Sequence, residues 1–178
     1  MGREIRRVPP NWDHPKYTEE NSNYSKKAGS YISLYDEDFE TRAREWLDEC
    51  IAWEDGTHVD LVDHFENKIE NPYFWQWEGD PPDPESYRPR FESDPTWYQV
   101  YETVSEGTPV TPPFATKEEL INYLVEHGDF WDQSRGDGGW DRNSAEGFID
   151  REWSPSLVII KEPDGAGIMY SPRDGFPE

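Results

Sequence analysis

The carboxylates offer most of the chemistry in this sequence, and a run of them falls at near-helical spacing: Glu37, Glu40, Glu45, Asp48, Glu49, Asp55, Asp60 and Asp63. Such an array can hold a cation, act pairwise as acid and base, or stand where the phosphates of a nucleic acid would stand. His58 and His64 flank Asp60 and Asp63 and would add nitrogen ligands for a metal, but the histidines match no recognised ligand spacing. The loop from Asp132 to Gly139 resembles a calcium loop superficially. It fails at the sixth position, Asp137, where the sharp turn needs Gly, and at the twelfth, Asn143, where a bidentate Glu belongs; it reads as a flexible connection. Glycosidic cleavage needs two carboxyl groups about 5 to 9.5 Å apart, and with 39 Asp and Glu no pair stands out. Cys50 falls on the inward face of a helix, which makes it a core residue rather than a thiolate nucleophile. Glycine-rich nucleotide loops, zinc-protease motifs and nucleophile elbows are absent. The expectation is a non-enzymatic protein with no catalytic residue, no metal and no cofactor.

The 39 acidic residues face only 17 Lys and Arg, a net charge of minus 22 over 178 residues. Residues 1–35 carry 6 basic and 4 acidic side chains, residues 36–94 carry 5 and 19, and residues 95–178 carry 6 and 16. Self-repulsion of this size costs stability and specifies no fold, so it calls for a solvent or a partner. A salt-rich cytoplasm would favour an acidic surface all round. A nucleic-acid mimic would gather the charge: duplex DNA carries one charge per roughly 1.7 Å, so 22 charges match about 37 Å of duplex, close to the roughly 40 Å span of a domain this long.

The elements that would position these groups follow from pattern. Residues 1–35, rich in Pro, Asn, Ser and Tyr, read as an extended basic arm, with Arg3, Arg6 and Arg7 laid on the protein's own acidic surface; residues 36–178 read as a single acidic domain. Asp36 caps a helix whose inward face is Phe39, Ala43, Trp46, Leu47, Cys50 and Trp53, ended by Gly56. A second helix, from about Val59 to Ile69, buries Leu61, Val62, Phe65 and Ile69 and stops at Pro72. Six prolines between Asn71 and Pro95 make that stretch a long loop. Trp97 to Ser105 alternates as a strand. Thr116 with Glu119 is a capping box for a helix that ends at Gly128, and Asn143 with Glu146 repeats the arrangement. Leu157 to Lys161 and Ile168 to Tyr170 form a hairpin around Pro163-Asp164-Gly165. The fold class is α+β, with about four helices and a small antiparallel sheet. The 27 aromatic residues outnumber the 23 Leu, Ile and Val, so the interior is expected to be built mainly of rings.

The single cysteine fits a reducing compartment, and the longest aliphatic run, Leu157 to Ile160, is too short to cross a membrane. Arg7-Val8-Pro9-Pro10-Asn11-Trp12-Asp13-His14-Pro15 resembles the start of a group of small acidic proteins encoded by phages and prophages. The segment Tyr101 to Pro109 and the helix Thr116 to Gly128 resemble the same group. The resemblance implies an accessory phage protein acting in the host cytoplasm, and several accessory proteins of this kind are acidic mimics that block host defence. It carries over no catalytic residue. The expected partner is a host nucleic-acid-binding protein with a basic groove, met by the eight carboxylates above. Nucleic acid itself and membranes are not expected partners, and the protein is expected as a monomer or small homo-oligomer. Alternatives are a phage structural or assembly protein docking through exposed aromatics, and a non-catalytic sugar or peptide binder.

Overall fold

The computed structural model describes residues 2–62, 64–103, 107–155, 158–161, 167–170 and 173. In chain order its elements are β1 (Gly2–Val8), β2 (Tyr35–Asp38), α1 (Phe39–Asp55), α2 (Val59–Val62), α3 (Glu66–Glu70), α4 (Phe74–Glu78), β3 (Tyr87–Arg88), β4 (Trp97–Glu102), β5 (Thr108–Pro109), α5 (Lys117–His127), α6 (Phe130–Arg135), α7 (Arg142–Arg151), β6 (Trp153–Pro155), β7 (Val158–Lys161) and β8 (Gly167–Tyr170). This is an α+β fold. The chain divides into two compact units: Tyr35–Arg90 forms one, and Met1–Leu34 with Phe91–Glu178 forms the other.

The larger unit is built on a sheet in the order β5-β4-β1-β6, with every neighbouring pair antiparallel. Its long central strand is β1, which lies in the segment the sequence presents as an arm. Ile5 pairs with Val100 and Val8 with Trp97 along β4, while Arg3 pairs with Ser154 along β6. Arginines at positions 3, 6 and 7 suggest a solvated segment, yet Arg3 and Arg6 are buried because each finds a partner inside. Arg6 donates to the Leu34 carbonyl (2.7 Å) and to Glu4 (2.6 Å), and its guanidinium lies 4.5 Å from the centre of the Tyr101 ring. Gly107 makes room for it: at φ 107° a Cβ would fall 2.1 Å from an Arg6 nitrogen.

One face of this sheet meets α5 and α7 over Val100, Val110, Leu120, Ile121, Leu124, Trp140, Ala145, Phe148 and Ile149. The capping box that starts α5 is formed, with Thr116 Oγ1 accepting from Glu119 N (3.2 Å) and Glu119 Oε2 accepting from Thr116 N (3.1 Å). Helix α7 starts two residues before its expected box, because Asp141 accepts from Ser144 N (3.1 Å) and places Asn143 inside the helix. The first half of the segment 132–139 is also helical, since α6 runs to Arg135, and the connection is confined to residues 136–139. Asp129 caps α6, and Asp132 is 3% exposed. Strands β7 and β8 pair antiparallel from Val158 opposite Tyr170 to Lys161 opposite Gly167. The expected turn between them and Leu157 lie outside the described residues.

The smaller unit opens with β2 and returns at β3, a short parallel pair with Tyr35 opposite Tyr87. Asp38, rather than Asp36, caps α1 by accepting from Thr41 N (3.1 Å), and Gly56 ends it in the left-handed region at φ 73°. The stretch read as a long loop holds α4, a 3-10 turn at Pro84–Ser86 and β3. The expected Val59–Ile69 helix is two short helices, α2 and α3. This unit's core is small: Trp53, Leu61 and Phe74, with Trp46 and Cys50 partly buried against them. Fifty-six residues leave too little interior for more.

The interior is less aromatic than composition implies. Of the 15 hydrophobic residues buried among those described, only Trp53, Phe74, Tyr101, Trp140 and Phe148 are aromatic, while ten large rings there are exposed.

Candidate partner-binding surface

The eight carboxylates belong to the smaller unit, and the structure brings only some of them together. At about 100° per residue, Glu45, Asp48, Glu49 and Asp55 share an arc of about 120° on α1, away from the buried side of Trp46, Cys50 and Trp53. Glu40 lies off that arc and pairs with Arg90 (2.9 Å). Arg42 partly neutralises the arc at its edge, 3.7 Å from Glu45 and 3.4 Å from Glu49. Asp48 and Asp55 are exposed and have no ion pair among the described residues. Asp60, on α2, accepts from the Trp77 indole N–H (3.2 Å), and His58 Nδ1 lies 3.6 Å away. Asp63 lies outside the described residues. Among those described, no group of three or more His, Cys, Asp or Glu is placed to hold a metal ion.

Charge crowding registers at Glu37 in β2. Burial, and behind it the charge of Glu45, pushes its carboxyl above the usual value. Next to it, Asp38 is held below its ordinary value: burial opposes this, but the hydrogen bonds from Thr41 and the charges of Arg88 and Arg90 prevail. Burial raises the Cys50 thiol, as does Glu49, which keeps it protonated and unreactive. A raised carboxyl binds its proton more tightly in the folded state, so Glu37 contributes most below its unfolded value and loses that contribution as pH rises through the folded one. Glu37→Gln is therefore expected to stabilise the protein at neutral pH by less than about 1 kcal/mol. Urea denaturation should show the gain shrinking as pH falls toward about 5.

Sequence pattern missed what lies between the carboxylates. Leu47 (57% exposed), expected inside, faces solvent next to Ile51 (59%), and both run beside the acidic arc. Val62, Phe65 and Ile69, also expected inside, are 69%, 54% and 75% exposed. Tyr73 and Trp75 stack at 6.0 Å with planes 7° apart and are themselves exposed. The signal was present: apolar residues on α1 span more of the circumference than one face can bury, and the excess stays outside.

The larger unit holds a different feature, a hollow of about 260 Å³ whose walls include Trp12, Asp13, His14, Tyr31, Tyr123 and Phe130. Four wall residues, Trp12, His14, Gln99 and Thr111, join one hydrogen-bonded chain through Tyr101. Trp12 Nε1 donates to the Tyr101 hydroxyl (3.2 Å), which donates to Gln99 Oε1 (3.0 Å), while Gln99 Nε2 donates to the Thr111 carbonyl (2.8 Å). His14 Nε2 donates to the Ile32 carbonyl (2.7 Å), with Nδ1 3.1 Å from the Tyr101 hydroxyl.

No protein-family model matches the chain, and neither a curated protein nor a solved structure matches it. Among the described residues no helix is long and apolar enough to cross a membrane.

Proposed function

We propose that this protein is a non-enzymatic phage accessory protein that inhibits a host nucleic-acid-handling protein, offering its acidic unit to the groove that normally holds phosphates. The observation that carries this reading is the placement of charge. Tyr35–Arg90 holds 17 acidic and 5 basic residues, a net of minus 12 on 56 residues, so under a third of the chain bears more than half of its minus 22. An acidity demanded by solvent alone would be spread evenly. A groove built for phosphates gains when its counterions are released, whether phosphates or carboxylates displace them. The exposed Leu47, Ile51 and Trp75 supply what a bare polyanion lacks, apolar area that fixes one partner and one register. They also favour a protein partner over a small cation.

The test is capture of partners from host lysate on the immobilised protein. Proteins that handle DNA or RNA should be retained, should elute as salt rises from roughly 50 to 200 mM, and should be displaced by duplex DNA or by RNA. Retention that survives both salt and nucleic acid would replace mimicry with apolar docking of an assembly protein.

A further inference from the structure

We infer that the hollow in the larger unit is a binding site for an organic cation of the quaternary ammonium type. The site and its unit are distinct from the acidic surface, so the inference stands or falls independently of the proposal above. Four aromatic rings, Trp12, Tyr31, Tyr123 and Phe130, line a space of about 260 Å³. That space admits a quaternary ammonium against any of these rings, within the roughly 6 Å over which a ring face attracts positive charge.

The hollow's own walls admit a cation, with two cations standing outside them, Lys16 beside Asp13 and Arg6 close enough to act on His14. Among the described residues its walls contain no Lys or Arg, and their one carboxylate, Asp13, has a side chain 84% exposed to solvent. His14 adds no opposing charge, because burial lowers its proton affinity and leaves the ring neutral at neutral pH. An ammonium already sits at this edge of the molecule: Lys16 Nζ lies 3.0 Å from Asp13 Oδ1 and 5.1 Å from the centre of the Tyr31 ring. Lys16 is not itself a wall of the hollow, so it shows what this carboxylate and ring attract without filling the space. A methylated ammonium suits the hollow better than a primary one. It is weakly hydrated, loses little on leaving water, and covers the rings with its methyl groups.

Two sources share this chemistry, a free choline-like molecule and a trimethylated lysine side chain. An adjoining hollow of about 340 Å³ shares Tyr31 and Phe130 and adds Trp131. It would take the aliphatic stem and backbone of a peptide and stay empty beside free choline. Titration of the full chain with choline, with a trimethyllysine peptide and with its unmodified counterpart, followed by saturation-transfer NMR, separates the two. The decisive control is the neutral isostere of choline in which carbon replaces the quaternary nitrogen. Choline or the trimethylated peptide should bind at least tenfold more tightly than its uncharged or unmethylated counterpart, and whichever cation binds more tightly names the source. Phe130→Leu and Asp13→Asn should weaken binding severalfold, and Lys16→Met, which frees Asp13 and Tyr31, should tighten it about threefold. Equal binding of the neutral isostere, or no binding of either cation to the unaltered protein, would overturn the inference whatever the variants do.

Discussion

Replacing Asp129 by Ala is expected to cost about 3–5 kcal/mol of folding stability. Asp129 is fully buried and Arg3 is 7% exposed, and the two form an ion pair between the start of α6 and strand β1. The carboxylate also caps α6, accepting from Trp131 N (2.8 Å) and Asp132 N (3.0 Å). Asp132 extends the network inward, accepting from the Trp140 indole N–H (2.6 Å) and from Arg135 (2.8 Å). Two losses are therefore combined in the Ala variant, and their sizes differ. An N-cap is worth about 1 kcal/mol, whereas a guanidinium left buried beside an empty position costs several. Asp129→Asn separates them, since it keeps a cap acceptor and removes the charge; it should recover only about 1 kcal/mol of the loss. The double variant Arg3→Met with Asp129→Leu should recover most of it, because no charge is then left uncompensated. Urea denaturation of the four proteins separates the loss of the cap from the loss of the charge partner. If Asn were as stable as the native residue, the buried pair would have no energetic role. A protein of this size has about 5–15 kcal/mol in total, so the Ala variant should lose a large fraction of its stability and unfold at a clearly lower urea concentration.

The buried pair also shows where sequence pattern stops being informative. Helices α1 and α5 could be read because their signals are local: Gly56 and the Thr116–Glu119 box lie beside the apolar period they delimit. Strand β1 could not, because the partners that let Arg3 and Arg6 enter the interior are Asp129, 126 residues away, and the Leu34 carbonyl, 28 residues away. A local window sees three arginines and infers solvent. The same limit governs the surface. The concentration of carboxylates in residues 36–94 is a matter of composition and was plain, but burial of Leu47, Val62, Phe65 and Ile69 depends on whether the unit around them is large enough to cover them. A core of three buried side chains is not. The aromatic hollow was illegible for a third reason: Trp12, Tyr31, Tyr123 and Phe130 come from segments that only the folded sheet brings together.

Neutralising the acidic arc should move stability and binding in opposite directions, which distinguishes a functional surface from a merely solvated one. In the variant Glu45→Gln, Asp48→Asn, Glu49→Gln, Asp55→Asn the smaller unit falls from minus 12 to minus 8. Relief of self-repulsion should then raise the thermal midpoint, with the loss of the exposed Arg42 pairs subtracting less than about 1 kcal/mol. If those four carboxylates occupy phosphate positions, each contributes to the salt dependence, and the slope of log K against log salt should flatten by up to about 0.9 per group. Affinity for the captured partner should fall by one to two orders of magnitude at low salt, roughly 1.4 to 2.8 kcal/mol, and the difference should narrow as salt rises. Replacing Leu47 and Ile51 by Ser gives the complementary result, weaker binding with an unchanged salt slope, because those side chains carry area and no charge. A four-carboxylate variant that gained stability and kept its affinity would assign the arc to solvent and leave the apolar residues as the contact.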